Sequence, residues 1–171
     1  MGLDITWYRK LTVAADVTRN EDDEPVDADG KYAHNVHVFF DNPDFPGRAL
    51  GIDCAAAFHA FASGDGPSWS YRGYHNWRQQ LAAVAGYNSA NEIWKGKVTS
   101  GPFYELINFS DCEGVIGPVV AAKLAKDFEE FSAAAKEAHT AGQVDSYWLE
   151  AFFSMRNAFE QAADSGAVVF H

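Results

Sequence analysis

Strand-like and helix-like segments interleave along this chain without the regular strand–helix–strand rhythm of a parallel sheet. Alternating apolar and polar residues predict strands, whereas apolar residues at three- and four-residue intervals predict helices. The interleaving therefore predicts an α+β fold, with a small, mostly antiparallel sheet packed against about three helices. The predicted strands are residues 3–8, 34–40, 103–109 and 167–170, and the predicted helices are residues 74–84, 118 to before 142, and about 146–163.

The best-marked helix begins at Pro118, because proline suits the first helical position, where its missing N–H would have no partner. Its apolar residues recur at helical intervals and predict one buried stripe. The last helix has a similar stripe, formed by four large side chains. The two stripes are Val120, Leu124, Phe128, Phe131 and Ala135, and Trp148, Phe152, Met155 and Phe159.

A chain of 171 residues is the size of one domain, and we expect a single α+β domain over residues 1–171. Residues 16–30 contain seven acidic residues and one basic residue and end in Asp-Gly, so they predict a solvated acidic loop. Residues 63–68 (SGDGPS) predict a break in regular structure. Residues 49–63 fit a helix through their alanines and a half-buried strand through their alternation, so both interpretations stay open.

The net charge of −11 argues against direct binding of nucleic acid, which needs a basic face, and against an anionic membrane surface. No apolar run is long enough to span a bilayer, and the first residues do not resemble a signal peptide. The two cysteines, Cys54 and Cys112, are therefore expected to be reduced thiols in a cytosol, with Cys112 structural between two acidic neighbours. Phosphate-loop, dinucleotide and paired-cysteine motifs do not occur, so no cofactor is expected.

Residues 110–114 (SDCEG) form a polar loop between a predicted strand and a predicted helix, a position that often carries function. Asp111 and Glu113, with Glu105, offer the oxygen ligands that a hard cation such as Mg²⁺ accepts. The other interpretation is turn chemistry, in which Ser110 and Asp111 accept backbone hydrogen bonds and glycines supply unusual dihedral angles. The turn interpretation is favoured, and the metal site remains its alternative.

Residues 69–78 (WSYRGYHNWR) combine four large aromatic side chains with two arginines and predict an interaction surface. The alternative is that Tyr74 and Trp77 belong to the core and the remaining residues cap a helix. The two interpretations are balanced. The surface would consist of Trp69, Tyr71, Arg72, Tyr74 and His75.

Several distinctive segments occur along the chain, among them MGLDIT at its start, NPDFPGR at 42–48, NFSDCEGVIGP at 108–118 and GAVVFH at its end. On these segments the chain resembles small proteins encoded in bacteriophage and prophage genomes, over nearly its full length. The resemblance implies a source, the cytosol of an infected or lysogenic bacterium. It implies no mechanism and no catalytic or cofactor-binding residue.

The negative charge, the abundant aromatic residues and the lack of a catalytic constellation favour a non-enzymatic protein. We expect it to bind a bacterial or phage protein and to modulate or inhibit a host factor, such as a component of host defence. One alternative is a metal-dependent hydrolase or nucleotide-processing enzyme that uses Asp111 and Glu113. Another is a minor component of virion assembly.

Overall fold

The computed structural model describes residues 2–171 and confirms the α+β fold. An antiparallel sheet of five strands packs against helices, and a separate pair of two-residue strands lies in the acidic segment. The strands are β1 (Gly2–Val13), β2 (Thr18–Arg19), β3 (Pro25–Val26), β4 (His37–Val38), β5 (Ala57–Ser70), β6 (Gly114–Ile116) and β7 (Ala167–Phe170). The helices are α1 (Tyr71–Val84), α2 (Ala90–Trp94), α3 (Tyr104–Ile107), α4 (Pro118–Glu130), α5 (Ser132–Thr140) and α6 (Ser146–Ala162).

The sheet has the order β4-β5-β1-β7-β6, with the long strand β1 at its centre. Strand β5 pairs with β1 along its whole length, straight through the segment that the sequence predicted as a break. That prediction was wrong because two glycines there allow close packing within the strand. A Cβ at Gly64 would lie 2.6 Å from the Trp7 ring, and one at Gly66 would lie 2.9 Å from Ile5.

The main core lies between one face of the sheet and the helices. Leu3 and Ile5 of β1, together with Val168 and Phe170 of β7, point to this face, as the alternation of a strand requires. The predicted apolar faces of α1 and α6 are buried in the same core, so these two helix predictions are confirmed. A smaller apolar cluster covers the opposite face of the sheet, formed by Phe39, Ala49, Phe58, Val115 and Ala167.

Residues 103–109 were predicted as a strand and instead contain helix α3. Phe103, Leu106 and Ile107 are fully buried, and their spacing of three and four residues suits one side of a helical turn. Such a short apolar run fits both helix and strand, and packing against the helical core decides in favour of the helix.

The number of helices also differs from the prediction, because residues 2–171 contain six rather than about three. The helix that begins at Pro118 ends at Glu130, and α5 starts at Ser132, whose hydroxyl donates a hydrogen bond to the Phe128 carbonyl at 2.6 Å. Helix α2 lies outside the segments predicted as helices. None of these helices has both the length and the apolar character that a bilayer span requires, over residues 2–171.

Three further segments complete the comparison between sequence and structure. Of the strand predicted over 34–40, only the two residues of β4 are paired. The ambiguous segment 49–63 is a turn-rich loop up to residue 56 and strand β5 from Ala57 onward. The short predicted strand at the end of the chain is confirmed as β7.

The acidic segment, residues 16–30, is attached to the body of the protein by its one basic residue. The Arg19 guanidinium donates hydrogen bonds to the carbonyl oxygens of Phe39, at 3.1 Å, and of Cys54. Its other nitrogen lies 3.6 Å from the Asp23 carboxylate. Because Arg19 is largely buried and the acidic side chains around it are mostly exposed, the segment presents negative charge to solvent.

Candidate functional site

Arg78, on the buried side of α1, holds the loop that follows α3. Its side chain is 6% exposed, and one terminal nitrogen donates to the carbonyl oxygens of Ile107 at 3.2 Å and Phe109 at 2.6 Å. The other terminal nitrogen lies 3.7 Å from a carboxylate oxygen of Asp111. A buried guanidinium needs such partners, since its charge cannot be left unpaired away from water. The contacts therefore set the position of residues 107–111.

The loop at 110–114 is shaped by the turn chemistry that the sequence favours. The Ser110 hydroxyl oxygen accepts hydrogen bonds from the backbone N–H groups of Cys112 at 3.3 Å and Glu113 at 3.1 Å. Gly114 has a φ of 130°, which favours glycine, and a Cβ there would lie 2.9 Å from the Phe109 ring. The turn prediction is confirmed for Ser110, whereas Asp111 faces Arg78.

The three candidate metal ligands are not brought together. The Glu105 carboxylate lies 2.5 Å from the Lys123 ammonium, which is also 2.8 Å from Asp127. The Asp111 carboxylate is paired with Arg78 instead. Within residues 2–171, no group of three His, Cys, Asp or Glu side chains is arranged to hold a metal ion. Arg78 and Lys123, which lie on separate helices, thus hold apart the carboxylates that a metal site would need to bring together.

The predicted aromatic surface at 69–78 needs correction at two positions. Trp69 is 6% exposed and Tyr74 is fully buried, and both pack against Trp77, with ring centroids 5.3 and 6.1 Å apart. Large aromatic residues on the inner side of β5 and α1 stabilise the core and cannot contact a partner from there. Arg72 is exposed, and Tyr71 and His75 are half-buried.

Burial also sets an expected pH dependence at Tyr74. It raises the pKa of the phenol, with Arg78 lowering the pKa and Asp111 raising it by smaller amounts. The folded state therefore keeps the phenol neutral. The stability that depends on the neutral phenol is fully present below about pH 10, which is the pKa of tyrosine in the unfolded chain, and it is lost as the pH rises further. Urea unfolding of Tyr74→Phe should show a smaller loss of stability above about pH 10 than the wild type.

The Tyr74 hydroxyl has no hydrogen-bond partner among the described residues, so Tyr74→Phe should cost little or nothing at neutral pH. Tyr32→Phe is the matched control, because it removes the same hydroxyl group from an exposed side chain. Equal alkaline profiles for wild type and Tyr74→Phe would contradict the assignment.

A groove of about 460 Å³ opens beside Arg78, and we call it the Asp111 groove. One wall is aromatic, since the His75 ring stacks on Trp94 with centroids 4.6 Å apart. Asp111, whose side chain is 47% exposed, also lines the groove. The groove is defined by Asp44, His75, Arg78, Trp94, Asp111 and Glu113.

A second cavity of about 540 Å³ lies on the other side of Cys112 and Glu113, and we call it the Phe40 pocket. Asn42 separates it from the Asp111 groove and donates a hydrogen bond from its amide to the Glu113 carbonyl at 3.0 Å. Its walls are mostly apolar and are defined by Phe39, Phe40, Pro43, Cys112, Val169 and Phe170. The two sites are therefore adjacent, with residues 112–113 between them.

Sequence reasoning found the loop and His75 but missed Arg78, Trp94 and the segment at 39–45. One signal was present, because Arg78 follows Tyr74 by four residues and so lies on the buried face of α1. An arginine on an apolar face needs acceptors nearby, although its sequence position does not say which.

The Asp111 groove is negative at its mouth. The charge of Arg78 is buried against two carbonyl groups and Asp111, whereas Asp44 and Glu113 are exposed. Among residues 2–171, no basic side chain forms an ion pair with either of these two carboxylates.

Comparison of this chain with protein-family models, with curated proteins and with solved structures found no match.

Proposed function

We propose that this protein works by binding a partner protein and performs no chemistry of its own. The observation that carries the proposal is the adjacency of an acidic, aromatic groove and an apolar pocket across residues 112–113. Interfaces commonly combine an apolar anchor with a charged contact at its rim. A segment with a basic side chain next to an apolar one would match both sites.

The groove suits a basic side chain for two reasons. Asp44 and Glu113 place unpaired carboxylates at its mouth, which attract a guanidinium or an ammonium group. The His75 ring, which stacks on Trp94, offers an aromatic surface for the aliphatic stem of lysine or arginine. The acidic segment at 16–30 adds to the negative field that attracts a basic partner.

The kind of partner follows from the same features. The resemblance to phage-encoded proteins is part of this proposal, and it makes a host protein the first partner to search for. Inhibition of a host factor would follow if the bound segment is one that the factor uses itself. A basic segment that otherwise contacts nucleic acid has the required charge.

The groove is tested with a labelled peptide of alternating arginine and leucine. Asp44→Asn with Glu113→Gln should weaken binding about tenfold, because the two carboxylates at the mouth of the groove are lost. Glu129→Gln with Glu130→Gln on α4 is the control, since it removes the same charge from an exposed site elsewhere. Fluorescence anisotropy gives the dissociation constants. An equal effect of the two double variants would mean that only net charge matters and would refute the groove.

The Phe40 pocket is tested with the same peptide. Phe40→Ala should weaken its binding about tenfold through loss of apolar contact. Leu50→Ala is the matched control, because Phe40 and Leu50 are each 55% exposed, and Leu50 does not line the pocket. Unchanged affinity of Phe40→Ala would remove the pocket from the proposed interface.

A further inference from the structure

The outer edge of β5 is free over most of its length. Strand β4 pairs only with Ala57 and Phe58, at the start of β5. Near the other end, the Tyr147 hydroxyl donates to the Ser68 carbonyl at 2.8 Å. Between these contacts, the backbone of residues 59–66 makes hydrogen bonds only to β1 within the described part of the chain.

The edge strand itself carries neither lysine nor proline between residues 59 and 66. Exposed edges are commonly blunted by lysine, proline, a bulge or a covering segment. Here Pro67 and the register shift at Asp4–Thr6 lie beyond residue 64. Within residues 59–64 the pairing with β1 skips only Phe61, which lies opposite Lys10, a residue with a φ of 49°. The exposed side of the stretch carries Phe61, which at 75% is the most exposed large apolar side chain among residues 2–171, with the Lys10 ammonium 5.4 Å from its ring centroid.

We infer that β5 pairs with β5 of a second copy of this chain, antiparallel and about a two-fold axis at Ala62. A two-fold axis normal to the sheet places residues whose numbers sum to a constant opposite each other. With the axis at Ala62, His59 lies opposite Asp65 of the second copy, and the same pair repeats at the other end. The register therefore places a ring N–H donor opposite a carboxylate acceptor at both ends of the paired stretch.

The same register suits the exposed aromatic side chain. His59, Phe61, Ser63 and Asp65 alternate with less exposed residues and so lie on one face. Phe61 lies opposite Ser63 of the second copy and diagonal to its Phe61, which is within reach of an aromatic ring. Pairing would reduce the exposure of this apolar ring to water on both copies.

Neighbouring registers use the edge less well. An axis at Phe61 would place Asp65 opposite Ala57, whose outer side is occupied by β4. An axis at Ser63 would place His59 opposite Pro67, which has no N–H to donate. The axis at Ala62 pairs residues 59–65 with their copies in the second chain without involving Ala57 or Pro67.

Sedimentation equilibrium tests the pairing. The wild type should be a dimer at about 100 µM, and Phe61→Lys should raise the dissociation constant at least tenfold, because it places a lysine on the edge. Val119→Lys on α4 is the control, since Val119 is also exposed and lies away from β5, and it should leave the dimer intact. A monomeric wild type, or equal weakening by both lysine variants, would overturn the inference.

Charge exchange tests the register. His59→Asp should weaken the dimer by placing two carboxylates opposite each other, and His59→Asp with Asp65→Arg should restore it.

Cross-linking gives a second measurement, in a chain that carries Cys54→Ser and Cys112→Ser. Ala62→Cys should form an oxidised dimer, because directly opposed residues are close enough for a disulfide, whereas Ala60→Cys should not. Cross-linking through position 60 in preference to 62 would refute this register.

Discussion

Replacing Arg78 with methionine is expected to lower the free energy of unfolding by about 3 kcal/mol. The buried carbonyl of Phe109 loses a short, charge-assisted hydrogen bond of 2.6 Å, and that of Ile107 loses one of 3.2 Å. The Ile107 carbonyl keeps a second donor, the Trp94 indole N–H at 2.9 Å. Most of the loss therefore arises at Phe109, directly before the loop that forms the Asp111 groove.

Urea unfolding followed by tryptophan fluorescence measures this effect. Arg72→Met is the matched control, because Arg72 lies on the same helix with its side chain exposed, and it should change stability by no more than about 0.5 kcal/mol. Arg78→Lys should lie between wild type and Arg78→Met, since lysine keeps the charge but not the planar fork. If Arg78→Met proves as stable as Arg72→Met, the guanidinium does not hold the loop.

Gly166→Ala is expected to destabilise the fold by about 4 kcal/mol or to prevent folding. Gly166 lies between the end of α6 and the start of β7, and its N–H donates to the Ala162 carbonyl at 2.8 Å. A Cβ at this position would overlap the Tyr8 carbonyl oxygen and lie 2.9 Å from the Ala162 Cα. Both obstacles are backbone atoms, so relief requires β7 to move away from β1.

Gly142→Ala separates this steric effect from the general cost of replacing glycine. Gly142 has a φ of 71° with open space around it, so alanine there should cost only about 1 kcal/mol through backbone strain. Thermal and urea unfolding of both variants give the comparison, and the yield of folded protein covers the case in which Gly166→Ala fails to fold. A similar, small loss in both variants would show that β7 can shift at little cost.

The parts of the fold that were predicted correctly are those in which one periodic signal extends over several turns. In α6, Trp148, Phe152, Met155 and Phe159 recur at helical intervals, and all four are buried in the core. A long stripe of this kind has one satisfactory arrangement, with its apolar side inward. Two wrong predictions fell on short or glycine-containing segments, 63–68 and 103–109, where local preference is weak and neighbouring elements decide. The helix predicted from Pro118 to before residue 142 is an exception, since its periodic signal is long and it is nevertheless divided at Phe131 into α4 and α5.

The candidate site shows the same division. The sequence singled out residues 110–114 and predicted backbone turn chemistry there, because serine beside its own backbone N–H groups forms such bonds locally. The partners of Asp111 and Glu105, which are Arg78 and Lys123, lie on other helices. No local rule pairs residues so far apart, so the choice between a metal site and separate ion pairs needed the three-dimensional arrangement.

The sequence alone determined the class of fold, the apolar faces of α1 and α6, and the acidic segment. Each of these features depends on composition or on a period repeated along the chain. Tertiary structure alone decided that Trp69 and Tyr74 are core, that Arg78 holds the loop and that the outer edge of β5 is free. These features depend on which surfaces meet across the chain. Contacts between distant segments follow from packing of the whole core, and a local pattern carries no information about them.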